Sequence, residues 1–176
     1  LIEAGYQVWL FDHVGHGQSA GSEATLIDFA RGLRTVHDAV EARGAKVAGF
    51  IGHSLGAAAI AVALAGKDGL APLAAGGRGL HAVLIAPPAS LQRYSRLFAR
   101  HLGLPERIRH AMQWRIEQRL GVRWQDFELP QAAIGLRAEA LIVHDQLDED
   151  VSIDTGLIVA RGWPGARFKR THGLGH

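Results

Sequence analysis

The chain contains no cysteine, so neither a disulfide nor a thiolate metal site can hold it together. An excess of one charge is missing too: 19 lysines and arginines face 17 acidic residues. With no long basic run, the chain lacks the electrostatic footprint of a nucleic-acid binder. It also lacks an unbroken apolar run of membrane length. Residues 47–66 carry no Asp, Glu, Lys or Arg, but Gly49, Gly52, His53, Ser54 and Gly56 interrupt them. A membrane span needs about 20 apolar residues, and a buried strand followed by a buried helix accounts for the stretch better. Ten histidines are present, yet no H-E-x-x-H or similarly spaced ligand pair occurs, which argues against a metal centre. The only methionine is Met112, and the chain opens on Leu1-Ile2-Glu3-Ala4-Gly5, which reads as the last turn of a helix stopped by glycine. We therefore expect an N-terminal piece to precede this segment. The lack of a signal peptide then says nothing, and location stays open with the cytoplasm favoured.

What is present suits one α/β domain. Of the 176 residues 48% are apolar, enough for a sizeable core. Abundant alanine and a preference for arginine over lysine hint at a GC-rich bacterial source. Residues 7–11, 47–51, 80–86, 140–144 and 167–171 read as strands. Leu26, Phe29, Leu33, Val36 and Val40 recur at helical spacing, with Thr25 as N-cap and Gly44 as stop. Residues 57–65 and 153–161 read as further helices, and 66–79 as a loop. Strands alternating with helices imply a mostly parallel sheet with helices on both faces. No internal repeat or low-complexity segment occurs.

Residues 89–130 break the alternation. Leu91, Tyr94 and Phe98 repeat helically, and Pro105 opens a second pattern carrying Ile108, Met112, Ile116 and Leu120. Two or three helices are thus inserted between strands. Eight arginines fall here, at 93, 96, 100, 107, 109, 115, 119 and 123. They can form a patch for an acidic substrate, but a solvated face on amphipathic helices is the plainer reading.

The chemistry centres on Gly52-His53-Ser54-Leu55-Gly56, set between a strand and a helix. A sharp strand-to-helix turn lifts a serine hydroxyl clear of the backbone, and flanking glycines avoid collisions there. The turn also aims the first free amides of the helix at any anion forming on the serine's target. A serine nucleophile needs a base, and the base needs an orienting acid. Both should come from loops at the C-terminal ends of the parallel strands. After residues 140–144 come Asp145, Asp148, Glu149 and Asp150; after residues 167–171 come His172 and His176.

With these residues in hand, the chain resembles the α/β-hydrolase fold superfamily, in its serine esterase, lipase and acyl-peptidase-like branch. Asp12-His13-Val14-Gly15-His16-Gly17-Gln18-Ser19 is similar to the D-x-x-G-H-G-x-S loop after the family's fourth strand. Residues 52–56 resemble its nucleophile elbow. Asp148, with Val151 three residues on, resembles the acid of the strand-7 loop, and His176 the histidine of the closing G-x-G-H pattern. The resemblance implies Ser54 as nucleophile, His176 as general base, Asp148 as orienting acid and the Leu55 N–H as one oxyanion donor. It implies no cofactor and a small-molecule acyl substrate. Residues 89–130 sit where the family places a helical cap, so Tyr94, Phe98, Met112 or Trp114 are expected either to line an acyl pocket or only to hold the cap helices together.

Each assignment has rivals. Asp145, Glu149 and Asp150 compete with Asp148, and the family usually carries glycine where Asp145 stands. His172 competes with His176. His53, His13 and His16 fit packing or backbone-bracing roles. The resemblance begins just before the family's fourth strand, so residues 1–176 read as a partial α/β-hydrolase domain lacking the first three strands. The second oxyanion donor belongs to that missing part. Loss of the third strand should leave a slot between residues 7–11 and 47–51 or let them collapse together, and the segment alone should be inactive. The expected function is hydrolysis of a carboxylic ester or related acyl compound through an acyl-enzyme. Thioesterase, carbon–carbon-bond hydrolase, acyl-peptide hydrolase and cofactor-free haloperoxidase chemistry stay open. The alternative is a hydrolase-like binding protein without turnover, or an inactive fragment.

Overall fold

The computed structural model describes residues 1–67 and 69–176; residue 68, in the expected loop, lies outside the described residues. Four parallel strands form one sheet in the order β1 (Gly49–His53), β2 (His81–Ile85), β3 (Glu139–Asp145) and β4 (Arg167–Thr171). Their connections carry helices α1 (Leu26–Glu41, before β1), α2 (Leu55–Ala65), the short α3 (Ala74–Gly77), α4 (Leu91–His101), α5 (Glu106–Leu120), α6 (Leu129–Ala133) and α7 (Ile153–Gly162). Parallel strands require such crossovers, because a hairpin cannot return the chain to the same end of the sheet.

Local chemistry explains the helix ends. Thr25 caps α1: its hydroxyl accepts from the Asp28 amide while the Asp28 carboxylate accepts from the Thr25 amide, a reciprocal capping box. Ser90 caps α4 by accepting from the Arg93 amide. Pro105 stands at the N-cap of α5 rather than inside its first turn, and Gly121 closes that helix at φ 65°. α2 is apolar all round, and Ala57 through Leu64 are all buried. α1 packs on one side of it and the sheet on another.

The register puts Phe50, Ala82, Ala140, Leu84, Ile142, His144 and Phe168 on one face. α2 and α7 pack on this face: α2 closes against Gly52 through Gly56 and Ile60, and α7 closes against His144 and Phe168 through Gly156. The other face carries Ile51, Val83, Ile85, Leu141 and Val143, all at least partly exposed. The expected α/β architecture, a parallel sheet flanked by helices, is thus what the described residues form.

The strand expected over 7–11 does not form. These residues join no ladder among the described residues; Trp9 instead lies under Arg43, and Phe11 stacks edge-on to His13, which does the same on Phe29 of α1. A pleated apolar run becomes a strand only when a neighbour supplies ladder hydrogen bonds, and β1, at the sheet edge, is not that neighbour. β1 itself runs two residues later than expected, because its ladder with β2 begins at Gly49. Gly49 is needed there: a Cβ would strike the His81 carbonyl. Of the eight arginines in the inserted helices, Arg109 departs from the solvated reading. It is 1% exposed, wedged between α4 and α5, and donates to Glu106, Gln113 and Ser95.

Candidate active site

Ser54 sits at the turn between β1 and α2 with φ 50° and ψ −117°, a conformation L residues rarely adopt. That strain marks a position fixed by its surroundings. The Ser54 amide donates to the Ile85 carbonyl at 2.8 Å, which ties the turn to β2. A Cβ on Gly52 would come within 2.7 Å of the Gly56 backbone and of Ile60, so glycine is obligatory there. Gly56 differs: a Cβ would meet nothing within 4 Å, so the expected collision holds at one flanking glycine only. The Leu55 amide, first in α2, donates to no acceptor among the described residues and remains available to an anion.

Asp148 and His176 come together from the ends of β3 and β4. His176 Nδ1 is 2.8 Å from Asp148 Oδ2. The other carboxylate oxygen, Oδ1, accepts from the amides of Val151 at 2.8 Å and Asp150 at 3.0 Å. The valine three residues after the acid therefore marks a tight turn whose amides grip the carboxylate. Burial pushes the Asp148 carboxyl up, but the Val151 amide, His176 and the Asp150 amide outweigh it, and the net direction is down. Asp148 is thus ionised at neutral pH, and His176 Nε2 makes no hydrogen bond among the described residues. The His176 ring packs 4.5 Å from that of His53, the residue before Ser54. The three groups share one end of the sheet, although Ser54 makes no side-chain hydrogen bond to His176 among the described residues.

A sequence model of the alpha/beta hydrolase family matches residues 1–172. The chain belongs to the alpha/beta hydrolase family. No curated protein sequence matches it significantly. Several solved structures share the fold. Rv0554 from Mycobacterium tuberculosis aligns over 99% of this chain and 74% of its own, at 16% identity and TM-score 0.67. Est1E from Butyrivibrio proteoclasticus, solved with ferulic acid bound, aligns over 94% of this chain and 67% of its own, at 18% identity and TM-score 0.64. The esterase domain of a Rhodothermus marinus protein aligns over 84% of this chain and 58% of its own, at 18% identity and TM-score 0.57. The hydrolase chain described here thus spans little more than half of that esterase domain.

The other acids and histidines near this end of the alpha/beta hydrolase chain have contacts of their own. The Asp145 carboxylate accepts from the amides of Leu147, Gly173 and Leu174 at 2.9, 3.2 and 3.0 Å. It joins the acid loop to the histidine loop. Burial raises its pKa, but the amides of Leu147 and Leu174, the Thr171 side chain and the Gly173 amide lower it further, to about 2. His172 bonds to Gln146 at the surface, away from Asp148. Glu149 and Asp150 are exposed. His16 braces the backbone through the Val14 carbonyl at 3.1 Å, as expected of it. His13 lies between Phe11 and Phe29 with Nδ1 unpartnered. Burial, then the neighbouring His16, holds its pKa below the usual histidine value. His53 is likewise lowered, by burial first and then by His176, against a partial opposing pull from Asp148.

Sequence reasoning missed His144. Its Nε2 lies 2.7 Å from the Val151 carbonyl and 3.3 Å from Asp148 Oδ2, and the ring is fully buried against Gly156. Alternation along β3 carried the signal: Ala140, Ile142 and His144 share the buried face, where a polar side chain needs a reason. Two cavities reach this end of the sheet. One, of about 240 Å³, is lined by Leu55, Leu26, Leu91, Phe98, Met112 and Phe127 among others. The second, of about 560 Å³, holds Asp148 and His176 in its wall beside Arg93, His101, Glu149 and Asp150. Tyr94 and Phe98 line both. No helix is long and apolar enough to cross a membrane, among the described residues.

Proposed function

We propose that this chain carries the catalytic residues of a serine hydrolase acting on a carboxylic ester. The observation that carries the reading is the pairing of a strained elbow serine with an oriented histidine: Ser54 at φ 50° and the 2.8 Å contact of His176 with Asp148 at one sheet end. In this mechanism Ser54 Oγ attacks the acyl carbon and its proton passes to His176 Nε2. Asp148 fixes the tautomer and stabilises the imidazolium. The Leu55 amide donates to the oxyanion. The bond to the alcohol oxygen then breaks, the alcohol takes the proton from His176, and water attacks the acyl-Ser54 bond to release the acid and restore the serine.

In the same reading residues 89–130 act as a cap, and the cavity beside Leu55 accepts the acyl chain. Tyr94, Phe98 and Met112 line that cavity, whereas Trp114 is 65% exposed and does not. The open contact between Ser54 and His176 favours one other reading, a hydrolase-like binding protein without turnover. Unliganded sites often close this hydrogen bond only with substrate present. Kinetics of Ser54→Ala in the full protein separate the two. The variant should keep its fold and lose roughly 10⁴-fold or more in ester turnover. Turnover within tenfold of the parent would end the serine mechanism.

A further inference from the structure

His144 takes no part in the mechanism above, yet it is buried beside it. It stands on β3, and its side chain, like that of Asp148, is fully buried. An imidazole taken out of water costs free energy unless its polar atoms find partners. Nε2 has one, the Val151 carbonyl at 2.7 Å. A carbonyl only accepts, so Nε2 carries the hydrogen. Nδ1 is buried and has no partner among the described residues. It faces Gly156 of α7, where a Cβ would strike it. A hydrogen on Nδ1 would be a buried donor without an acceptor. The ring is thus committed to one tautomer and to one direction, with its N–H toward the acid loop.

That direction matters because of what holds Asp148. The Val151 and Asp150 amides grip Oδ1 at 2.8 and 3.0 Å. Both belong to the loop that carries Asp148, so they fix the carboxylate to its loop and not the loop to the sheet. The reaction needs the second as well. Oδ2 has to meet His176 Nδ1, which arrives from the end of β4, at 2.8 Å. An error of about 1 Å in such a contact costs roughly 10²-fold in rate. Asp145 ties the near end of the loop through the Leu147 amide. His144 ties the far end. Val151 gives its amide to Asp148 and its carbonyl to His144, so one residue links the carboxylate to the buried face of β3. The β3–β4 ladder, with His144 opposite Arg170, carries the register on toward the histidine loop. The same N–H lies 3.3 Å from Asp148 Oδ2. In this buried setting its positive end steadies the carboxylate charge that His176 faces.

We propose that His144 is a positioning residue of the catalytic unit: it pins the far end of the acid loop to β3 and holds Asp148 Oδ2 in line with His176. The inference rests on Ser54, His176 and Asp148 working as proposed above. His144 lines neither cavity, so its loss should act on kcat and leave KM alone.

The test varies the reach of the side chain. In the full protein, kcat and KM for 4-nitrophenyl butyrate are measured well below each variant's melting midpoint. His144→Leu fills the space without a donor and should lower kcat by about 10- to 100-fold at unchanged KM. Glutamine carries an amide N–H at the reach of Nε2, asparagine only at the reach of Nδ1. His144→Gln should therefore recover to within about threefold of the parent kcat, while His144→Asn stays at least about tenfold below it. A folded His144→Leu with the parent's kcat, an effect carried by KM, or equal kcat in His144→Gln and His144→Asn would overturn the assignment and leave the serine mechanism standing. If His144→Leu does not fold, the other two variants decide by the same inequality. If none of the three folds, His144 serves folding only and the assignment fails. Ester turnover that survives Ser54→Ala would remove the mechanism and this inference together.

Discussion

Asp148 uses both of its oxygens, and that division separates it from the other acids in its loop. Oδ1 is held by the Val151 and Asp150 amides, while Oδ2 faces His176 Nδ1 at 2.8 Å and His144 Nε2 at 3.3 Å. An amide at this position cannot stabilise the imidazolium and favours the wrong histidine tautomer, so Asp148→Asn should lower kcat by roughly 10³–10⁴. Asp150→Asn, whose side chain is exposed, should leave kcat nearly unchanged, and Asp145→Asn should fall between them. A ranking with Asp145→Asn lowest would show that the acid was misassigned. Asp145 also makes a pH prediction. Its folded pKa of about 2 lies below the ordinary aspartate value of 3.8. The stability it contributes is therefore complete above pH ~4 and lost as pH falls through about 2. Urea midpoints should differ between parent and Asp145→Asn at pH 6, and the gap should narrow below pH 3. The turn that grips Asp148 was legible in the sequence, because Val151 three residues on supplies one of its amides. The work of Asp145 was not, since its amide partners Gly173 and Leu174 come from another loop and their approach depends on the β3–β4 register.

Elements with a sequence-local cause were read well from the sequence, and elements that depend on a partner were not. α1 lies where its cap and periodicity put it, β4 matches the expected residues 167–171, and the tight turn at Ser54 follows from Gly52. Residues 7–11 have the pattern of a strand but no neighbour, and β1 is displaced by the register that β2 imposes. The elbow offers a paired test of local cause. Gly52→Ala should destabilise by about 1–3 kcal/mol, the usual cost of overpacking, because its Cβ lands 2.7 Å from Gly56 and Ile60. Gly56→Ala, inside α2 with open space beside it, should be neutral or stabilising by up to about 1 kcal/mol. Chemical denaturation of both variants decides it. For the inserted helices, Met112→Ala and Phe98→Ala should shift ester preference toward longer acyl chains, while Trp114→Ala, outside the cavity, should not. Unchanged chain-length preference in all three would mean that these side chains only hold the helices together.

The molecule as a whole has a closed side and an open one. Helices α2 and α7 cover one face, while Ile51 is 55% exposed and Ile85 36% on the other. Among the described residues the outer edge of β1 carries no partner strand. Open edges and apolar faces of this kind invite association. Residues 1–176 expressed alone should therefore bind an apolar dye and elute as aggregates in size-exclusion chromatography. A monodisperse, cooperatively melting species with full ester turnover would refute this. If Ser54, His176 and Asp148 act as one nucleophilic unit, a covalent serine probe reads it out in a single step. The full protein is treated with a fluorophosphonate at neutral pH and the adduct is mapped by mass spectrometry. One adduct per chain is expected, on Ser54, formed far more slowly in His176→Ala. Labelling at another residue, or none at Ser54 in a protein that hydrolyses esters, would contradict it.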